Sequence, residues 1–419
     1  MAKVLIIGGG PAGMFAAAAA VATGAKVTLL EKSSRLGKKM ILTGGGRGNL
    51  TNTATLHDFI NNIPGNGKFL FSALNNFSGN DCREFFQSIG IPTKVEDEGR
   101  VFPVFDDAGR VVHILENYLK TNHVTVINSA KVTGLIIKDH TCIGVQDDRG
   151  RAYPGEAIIV ATGGASYPHT GSTGDGYTLA EQAGHRITPL YPSLVSLYLA
   201  EKELCRQLQG LSLKGVRLSL ATEHESKPAT ESGEIIFTHF GLSGPAALRL
   251  SRVAARWLSS GQCADLCLTL DLLPQYNQEE LTDLMLSMSS RQPQKTPLNI
   301  VKQLLPNRLA DVCVNEQQTS MGQKSGATGK KVWRVLAGRI KNLPFTVTGT
   351  KPLAEAMITA GGVSLEHIDP RTMASRLING LYFAGEVMDL DAYTGGFNLQ
   401  IAFSTGWVAG KSAARMLLQ

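Results

Sequence analysis

Residues 4–31, VLIIGGGPAGMFAAAAAVATGAKVTLLE, constrain the fold of this chain more than any other stretch. They read as an apolar strand, a glycine turn, an alanine-rich helix and a second strand. Gly8, Gly10 and Gly13 fit the spacing G-x-G-x-x-G, which brings backbone N–H groups and a helix amino end to a phosphate. Glu31 closes the second strand, where a carboxylate accepts hydrogen bonds from ribose hydroxyls. The stretch predicts an α/β, Rossmann-like domain that binds the ADP half of a dinucleotide.

The length and the charge of the chain predict the number of domains and the kind of partner. The chain has 419 residues, of which 43% are hydrophobic, and a net charge of +6. That length predicts two or three domains with sizeable cores. The densest basic stretch, residues 324–334, reads as a loop that enters a solvated helix. Because no basic face with interleaved aromatic residues is visible, we expect no nucleic-acid partner.

The cysteines and the apolar runs indicate the cellular compartment in which we expect the protein. The six cysteines form no C-x-x-C pair, and Cys263 and Cys267 alternate with apolar residues in a predicted strand, which favours core thiols. We therefore expect no metal site and no disulfide framework. The apolar run at residues 14–22 is too short to span a bilayer, and Lys3 leads straight into the first strand without a signal peptide. These features predict a cytoplasmic protein with no membrane partner.

Changes of pattern along the chain indicate the domain organisation. Residues 1–190 alternate strands and helices, whereas residues 191–275 contain short β-like runs with few helices between them. Residues 276–343 have helical periodicity and predict a small helical insertion. Residues 344–419 return to strand, loop and a long helix that completes the first domain, and part of residues 344–363 can belong to the β-rich domain. Only one G-x-G-x-x-G is present, which argues against a separate nicotinamide-binding domain.

The carboxyl-terminal segment points to a flavin. Residues 381–387, LYFAGEV, form an apolar strand that ends at Gly385 and Glu386. The glycine permits close backbone approach, and the carboxylate can accept from a ribityl hydroxyl. The following TGGFNLQ opens a helix whose first amides, at residues 396–399, can face a carbonyl of the flavin ring and stabilise its anionic reduced form. The plain alternative is a strand-to-helix connection without a ligand.

Two further segments add candidate contacts. Residues 161–164, ATGG, resemble the second dinucleotide-contact motif of flavoproteins with two dinucleotide-binding domains, in which the strand that holds Val132 lies beside the adenine. In GKKMILTGGGRGNLTN, Lys39 and Arg47 offer charge to a pyrophosphate and Asn49 offers its amide to the cofactor, although a solvated basic loop is the alternative. The predicted cofactor contacts are Gly8, Gly10, Pro11, Ala12, Gly13, Glu31, Lys32, Lys39, Gly46, Arg47, Asn49, Val132, Ala161, Thr162, Gly163, Gly385, Glu386, Gly396, Phe397, Asn398 and Leu399.

Three residues are candidate proton donors. Thr238 and His239 lie where GEIIFTHFGLSGP turns between a strand and a helix, and a histidine can donate a proton near neutral pH. Tyr393 lies in the loop before the last helix. A turn histidine bonded to backbone and a packing tyrosine are the corresponding structural interpretations, so the catalytic residues stay open.

Taken together, the motifs GGGPAG, GKKMILTGGGRGNLTN, ATGGASYPHTGSTGDGY, GEIIFTHFGLSGP, ITAGGV and LYFAGEVMDLDAYTGGFNLQ resemble the bacterial flavoprotein family labelled BaiN-like or aminoacetone-oxidase-like, over nearly the whole chain. The resemblance implies an FAD-binding Rossmann-like domain interrupted by a β-barrel-like domain and a small helical domain. It also implies an oxidase of small amines or a reductase of steroid-type enones. Relatives often carry cysteine at the position of Gly48, and often a glycine after the acid where Ala392 follows Asp391.

The sequence thus predicts an FAD-dependent oxidoreductase that acts on a small organic substrate by hydride transfer through flavin N5. Two mechanisms stay open: an amine oxidase, and a reductase that takes electrons from transiently bound NAD(P)H. The alternative from another class is a non-catalytic flavin-binding redox sensor or an RNA-modification accessory protein. A site that holds NAD in place of FAD is a further possibility, and either a monomer or a dimer is compatible with the sequence.

Overall fold

The computed structural model describes residues 3–222, 226–261, 263–314 and 324–418. The chain divides into two compact units. The first, called unit 1 below, comprises Met1–Pro192 and Leu353–Gln419, and the second, unit 2, comprises Ser193–Pro352. The domain boundaries expected from the sequence stay predictions.

The helices and strands are named in chain order. The strands up to residue 193 are β1 (Lys3–Ile7), β2 (Lys26–Glu31), β3 (Thr51–Asn52), β4 (Thr93–Val95), β5 (Arg100–Pro103), β6 (Thr125–Asn128), β7 (Val132–Lys138), β8 (Thr141–Asp147), β9 (Ala152–Pro154), β10 (Ala157–Val160) and β11 (Tyr191–Ser193). The helices of this stretch are α1 (Pro11–Ala22), α2 (Lys38–Ile41), α3 (Leu56–Asn61), α4 (Phe71–Asn76), α5 (Gly79–Ser88), α6 (Ala108–Thr121) and α7 (Asp175–Gln182).

The remaining strands are β12 (Leu197–Leu199), β13 (Ser212–Ala221), β14 (Ala229–Thr238), β15 (Gly241–Ser243), β16 (Leu266–Asp271), β17 (Leu343–Thr350), β18 (Ile358–Ala360) and β19 (Leu381–Phe383). The remaining helices are α8 (Lys202–Leu208), α9 (Pro245–Ser259), α10 (Gln278–Arg291), α11 (Pro297–Val301), α12 (Asn307–Cys313), α13 (Lys330–Lys341) and α14 (Phe397–Leu418).

A parallel sheet with the order β19-β10-β1-β2-β6 forms the centre of unit 1. Its neighbouring strands pair in parallel throughout, and β1 and β10 are apolar and almost fully buried, as expected for strands covered on both faces. The predicted order of strand, glycine turn, helix and strand at the amino end is confirmed as β1, α1 and β2. The sheet therefore joins pieces from both ends of the sequence.

Small residues let α1 and α14 pack with their backbones in contact. A Cβ atom added at Gly410 would lie 2.1 Å from the carbonyl oxygen of Ala16, and one added at Gly406 would lie 2.2 Å from that of Ala12. Because real Cβ atoms do not approach backbone that closely, both positions require glycine. These contacts hold the carboxyl-terminal helix against the first two turns of α1.

Unit 2 is built on a closed barrel with the strand order β12-β15-β14-β13-β16-β17. Helices α10 and α13 share one apolar core with the barrel, which joins Met285 and Trp333 of the helices to Leu268 and Phe345 of the strands. The predicted fold class, a Rossmann-like domain with an inserted barrel and a helical region, is confirmed.

The prediction that Cys263 and Cys267 are core thiols is wrong for Cys267. In β16 the side chains alternate between two faces, and Leu266, Leu268 and Leu270 occupy the buried one. Cys267 therefore points outward and is exposed, while Cys263 is half-buried. All six cysteines are free thiols, and the other four are buried.

His185 is a buried histidine of unit 1. Its Nε2 lies 2.8 Å from the hydroxyl of Ser375, and its ring packs edge-on against Phe383 with 4.8 Å between centroids. Burial lowers the pKa of His185 to about 4, and the neighbouring His367 contributes in the same direction. Because an unfolded histidine has a pKa of about 6.5, the unfolded chain binds more protons than the folded one between these values. The stability that neutral His185 contributes is therefore present above pH 6.5 and lost as the pH falls towards 4.

This pKa shift predicts a pH-dependent cost of the substitution His185→Gln. At about pH 7 the variant should be less stable than the wild type, and at about pH 5 the difference in the free energy of unfolding should shrink by about 2 kcal/mol. Urea denaturation of both proteins at the two pH values measures this difference. A difference that does not change with pH would contradict the prediction.

Candidate functional site

The carboxyl ends of four parallel strands hold the glycine- and acid-bearing segments predicted from the sequence. Residues 8–13 follow β1, Glu31 ends β2, residues 161–163 follow β10, and residues 385–386 follow β19. In open parallel sheets the crevice beyond these strand ends is the usual place for a ligand. The structure therefore brings the four segments to one edge of the sheet.

The fold requires two of the three glycines in the turn after β1. Gly8 has a positive φ of 104°, and a Cβ atom there would lie 2.5 Å from the carbonyl oxygen of Ala161. A Cβ atom at Gly13 would lie 1.9 Å from the carbonyl oxygen of Gly8. Gly10 differs from both, because it has an ordinary φ of −77° and its Cβ atom would meet nothing within 4 Å. The packing of the protein explains Gly8 and Gly13 but leaves Gly10 unexplained.

The amino end of α1 can receive an anion. Gly10 is its N-cap residue, and Pro11 occupies the first turn. The N–H groups of a first turn have no acceptor within the helix, and the helix dipole makes this end positive. Gly385, with a φ of 76°, approaches the same turn, since its Cβ atom would lie 2.7 Å from that of Ala12. Open space at Gly10 beside unsatisfied donors fits a phosphate group of a dinucleotide.

Backbone groups orient the carboxylate of Glu31. The N–H of Gly9 donates to Oε2 at 2.7 Å, and the N–H of Ser33 donates to Oε1 at 2.6 Å. The N–H of Ala130 donates to the carbonyl oxygen of Glu31 at 3.0 Å, and the chain then enters β7 at the buried Val132. The two residues predicted at the adenosine end therefore lie on neighbouring segments.

Lys39 and Glu386 form an ion pair that sequence reasoning did not anticipate. Lys39 Nζ lies 2.8 Å from Glu386 Oε2 and 2.6 Å from the hydroxyl of Ser166. The other carboxylate oxygen of Glu386 accepts from the N–H of Thr359 at 2.9 Å. Both charged side chains are more than four-fifths buried, so the attraction is screened less than at a surface. Ser166 and Thr359 carry no motif that would have revealed them.

The partial burial of this pair predicts energetic coupling between its members. Lys39→Met leaves the Glu386 carboxylate without its cation, so it should cost more stability in the wild type than in a Glu386→Gln background. We expect a coupling free energy of about 1–2 kcal/mol. Urea denaturation of the wild type, the two single variants and the double variant measures it. Purely additive costs would contradict the ion pair.

Carboxylates surround Arg47 on two sides. Its guanidinium pairs with Glu96 and, at 2.8 Å, with Asp106, and it lies 4.2 Å from the ring centroid of Phe102. Lys94 pairs with Asp106 as well, at 2.5 Å. The hydrogen bond from Arg47 lowers the pKa of Glu96, and that from Lys94 lowers the pKa of Asp106. These contacts give Arg47 a structural role, and its role at a pyrophosphate stays a prediction.

The glycine-rich loop after α2 is fastened to the start of α14. Gly46 has a φ of 89° and faces open space, because a Cβ atom there would meet nothing within 4 Å. The side-chain amide of Asn49 can be oriented so that its nitrogen and its oxygen both have partners. In that orientation the nitrogen donates to the carbonyl oxygen of Thr51 at 3.2 Å and the oxygen accepts from the N–H of Gly396 at 3.0 Å. Asn49 therefore joins the two predicted cofactor segments.

The first turn of α14 presents a set of backbone donors. Asn398 accepts from the N–H of Ala392 at 2.9 Å and donates to the carbonyl oxygen of Ala392 at 2.8 Å, so it closes the loop that holds Tyr393. Phe397 is buried against Phe59, with 4.8 Å between ring centroids. Leu399 is buried too, so the side chains of this turn serve packing while its N–H groups lack acceptors within the helix.

Two of the remaining predicted contacts lie near α7. Lys32 pairs with Asp175 at 2.5 Å and also contacts the hydroxyl of Thr173 at 2.5 Å. Thr162 Oγ1 is buried and has no hydrogen-bond partner among the described residues. Gly163 follows with a φ of 76°. The hydroxyl of Thr162 lies against α7, since a Cβ atom added at Gly176 would be 2.0 Å from Oγ1.

The candidate proton donors are divided between the two units. In unit 2 the hydroxyl of Thr238 accepts from the N–H of Gly241 at 3.2 Å and so closes the turn after β14. His239 is exposed and packs edge-on against Phe240. Tyr393 belongs to unit 1, where its N–H donates to the carbonyl oxygen of Asn62 at 2.9 Å. Only Tyr393 is thus placed in the unit that holds the four strand-end segments.

The described ranges contain neither a candidate metal centre nor a candidate membrane span. No cluster of three or more His, Cys, Asp and Glu side chains in these ranges is arranged to hold a metal ion. No helix in them combines the length and apolar character needed to cross a bilayer.

Comparison with known proteins identifies relatives over the full length. A 3-dehydro-bile acid delta(4,6)-reductase of Clostridium scindens is 30% identical over 419 residues, which cover 99% of each chain. A ribosomal RNA dihydrouridine synthase of Escherichia coli is 31% identical and covers 97% of this chain and 96% of that protein. One of the same name from Haemophilus influenzae is 30% identical, with 98% coverage of both chains.

The fold is also shared with solved structures. A 3-ketosteroid-delta4-(5alpha)-dehydrogenase from Rhodococcus jostii superposes with a TM-score of 0.54 at 15% identity and covers 99% of this chain and 97% of that one. The profile of the HI0933-like protein Rossmann domain matches residues 2–412. The predicted resemblance to this type of flavoprotein is confirmed, as is the prediction of an FAD-dependent oxidoreductase. The chain therefore belongs to the HI0933-like family of FAD-binding oxidoreductases.

Proposed function

We propose that this protein is an NAD(P)H-linked, FAD-dependent reductase of carbon–carbon double bonds that are conjugated to a carbonyl group. The observation that carries the cofactor assignment is the unexplained glycine at position 10. Gly10 leaves open space at the donor-rich amino end of α1, on the sheet edge where three other motif segments meet. When bound, FAD supplies hydride transfer at its flavin ring.

Each segment near the sheet edge is proposed to bind a different part of FAD. The first-turn amides of α1 face the pyrophosphate, while Glu31 and the start of β7 hold the adenosine end. The segment of Gly385 and Glu386 faces the ribityl chain. The first-turn amides of α14 would direct their dipole towards the flavin ring and stabilise negative charge on it. The glycine loop that contains Gly46 would contribute backbone groups to the cofactor.

The relatives favour a reductase over an amine oxidase. A delta(4,6)-reductase of a 3-dehydro-bile acid acts on double bonds conjugated to a 3-oxo group. A dihydrouridine synthase saturates the double bond of uracil, which is conjugated to a ring carbonyl. These two names describe one reaction class: addition of a hydride to the carbon remote from the carbonyl and of a proton to the adjacent carbon. Neither name describes the oxidation of an amine.

The proton in this reaction requires an acid at the substrate. Tyr393 is the candidate that lies in unit 1, in the loop that Asn398 fastens to the first turn of α14. Thr238 and His239 are the alternatives from unit 2. A phenol suits this task because it donates a proton and is re-protonated from water.

Anaerobic mixing of the purified flavoprotein with NADPH tests the proposal. We expect the absorbance band of oxidised flavin to disappear, and to return when a conjugated enone such as a 3-oxo-Δ4 steroid, or a uridine-containing RNA, is added. Reduction of the flavin by a primary amine, with no response to NADPH, would instead establish an amine oxidase. Flavin that neither donor reduces would support the redox sensor, and a protein that takes up NAD but no FAD would overturn the cofactor assignment.

A further inference from the structure

The two carboxylate oxygens of Glu386 have unequal surroundings. Oε1 accepts from the N–H of Thr359 at 2.9 Å, from Lys39 Nζ at 2.9 Å and from the hydroxyl of Ser166 at 3.1 Å. Oε2 accepts from Lys39 Nζ at 2.8 Å and from no other donor within the described part of the chain. Because a carboxylate oxygen accepts about two hydrogen bonds, Oε2 keeps one acceptor position for a ligand.

The donors of Lys39, in contrast, are all engaged. An ammonium group has three N–H bonds to donate. Lys39 Nζ lies 2.6 Å from the hydroxyl oxygen of Ser166 and within hydrogen-bond distance of both carboxylate oxygens of Glu386. A direct contact with a pyrophosphate, which the sequence suggested for Lys39, would have to replace one of these bonds. The contacts therefore favour a lysine that acts on the cofactor through Glu386.

Buried neighbours restrict the position of this carboxylate. Ser166 and Thr359 are both fully buried. Thr359 Oγ1 accepts from the N–H of Ala165 at 2.9 Å. A Cβ atom added at Gly164 would lie 2.5 Å from Thr359 Oγ1 and 2.8 Å from Glu386 Oε1. Since closely packed groups leave no room for another rotamer, the segment that follows β10 holds Glu386 in one orientation.

The motif ITAGGV, residues 358–363, lies along the chain that follows Glu386. The N–H of Val363 donates to the carbonyl oxygen of Val387 at 2.9 Å, and the N–H of Asp389 donates to the carbonyl oxygen of Val363 at 3.0 Å. A Cβ atom added at Gly362 would lie 2.7 Å from the carbonyl oxygen of Val387. This pairing places Thr359, near the start of the motif, at the carboxylate.

We infer that Lys39 is a positioning residue for the cofactor. Together with Ser166 and Thr359 it holds Glu386 so that Oε2 accepts a hydrogen bond from a ribityl hydroxyl of FAD. The inference rests on the placement of FAD in the proposed function. The ribityl chain belongs to the flavin half of FAD, whereas ADP has the same adenosine and pyrophosphate without it. Lys39 should therefore contribute to the binding of FAD and not to that of ADP.

Titration calorimetry of the flavin-free, full-length protein with FAD and with ADP tests this inference. Lys39→Met should raise the dissociation constant of FAD about tenfold, because a displaced carboxylate loses one charge-assisted hydrogen bond. In a Glu386→Gln background the same substitution should change the affinity for FAD by less than about twofold, since the group that it positions is absent. In that background the affinity for ADP should not change.

A smaller substitution and a matched control accompany this cycle. Ser166→Ala removes the hydroxyl between Lys39 and Glu386, and should weaken the binding of FAD while the affinity for ADP stays that of the wild type. Lys341→Met is the control. Lys341 and Asp271, in unit 2, form a pair of similar length, 2.7 Å, and of similar burial. It should cost a comparable amount of stability in urea denaturation and leave both affinities unchanged.

Several outcomes would overturn the inference. Weaker ADP binding on Lys39→Met in the Glu386→Gln background would mean that Lys39 touches the pyrophosphate. Fully additive losses of FAD affinity in Lys39→Met and Glu386→Gln, equal losses of FAD and ADP affinity in Ser166→Ala, or a loss of FAD affinity in the control would contradict it too. None of these measurements involves NADPH. A flavin that NADPH does not reduce would overturn the proposed reductase and leave the role of Lys39 intact.

Discussion

Replacing Gly10 by alanine is expected to weaken FAD binding by about 10- to 100-fold while the protein stays folded. The added methyl group meets no protein atom within 4 Å, and the φ of −77° suits any residue. It does occupy the space in front of the first-turn amides of α1. A phosphate held away from these donors loses about one charge-assisted hydrogen bond, which is worth about 1.5–3 kcal/mol.

Titration of the flavin-free variant with FAD, followed by flavin fluorescence, gives the dissociation constant, and thermal unfolding without FAD gives the stability. Gly329→Ala is the matched control. Gly329 is also a helix N-cap with an extended backbone, and its Cβ atom would also meet nothing within 4 Å. Both substitutions should cost the same small amount of stability, since each removes a glycine N-cap. Unaltered FAD affinity in Gly10→Ala would show that the cofactor does not approach this turn.

The substitution Gly410→Ala is expected to lower the free energy of unfolding by about 3 kcal/mol. Its Cβ atom would lie 2.1 Å from the carbonyl oxygen of Ala16 and 2.9 Å from the Cα atom of the same residue. Backbone cannot rotate away as a side chain can, so α14 must move off α1. Because α14 also presents the amides at residues 396–399, we expect FAD affinity to fall together with stability.

A second glycine inside a helix provides the control for Gly410. A Cβ atom at Gly338 in α13 would lie 2.9 Å from the amide nitrogen of Gln278, which is the end of a flexible side chain. Gly338→Ala should therefore change stability by less than about 1 kcal/mol, because the gain in helix propensity offsets a small shift of Gln278. Urea denaturation of the two variants beside the wild type makes the comparison. Equal losses at both positions would mean that the close approach of α1 and α14 does not set the cost.

Much of the candidate site follows from local pattern. The residues of the first turn, Glu31 and the segment at Gly385 and Glu386 stand beside apolar strands, and their spacing alone identifies them. The carboxyl ends of parallel strands meet at one edge of a sheet. Only the order of the strands, which decides which segments are neighbours there, could not be predicted from the sequence. Charged pairs are different. Nothing local relates Lys39 to Glu386, which are 347 positions apart, or Arg47 to Glu96 and Asp106.

At Cys267 and Gly10, too, the local pattern predicts part of the result and the fold decides the rest. Alternation in β16 indicates that its residues face two sides, but which side is buried depends on the neighbouring strands and helices of the barrel. G-x-G-x-x-G predicts a phosphate-binding turn, but only the packed structure distinguishes the two glycines that the fold requires from the one that it leaves open.

The amino-acid order alone determined the dinucleotide-binding start and a β-rich insertion, because these depend on short-range periodicity and on contiguous motifs. It determined the family through the resemblance of those motifs, and that resemblance implied that the insertion is barrel-like. Tertiary structure decided which cations are neutralised and which face solvent. Lys39 and Arg47, which looked available in the sequence, are paired in the fold, whereas Lys331 and Arg334 of α13, in a stretch that reads as a solvated helix, are exposed and have no carboxylate partner among the described residues. The physical reason is that ion pairs form between side chains that folding brings together from distant parts of the sequence, and their spacing along the chain carries no signal of that proximity.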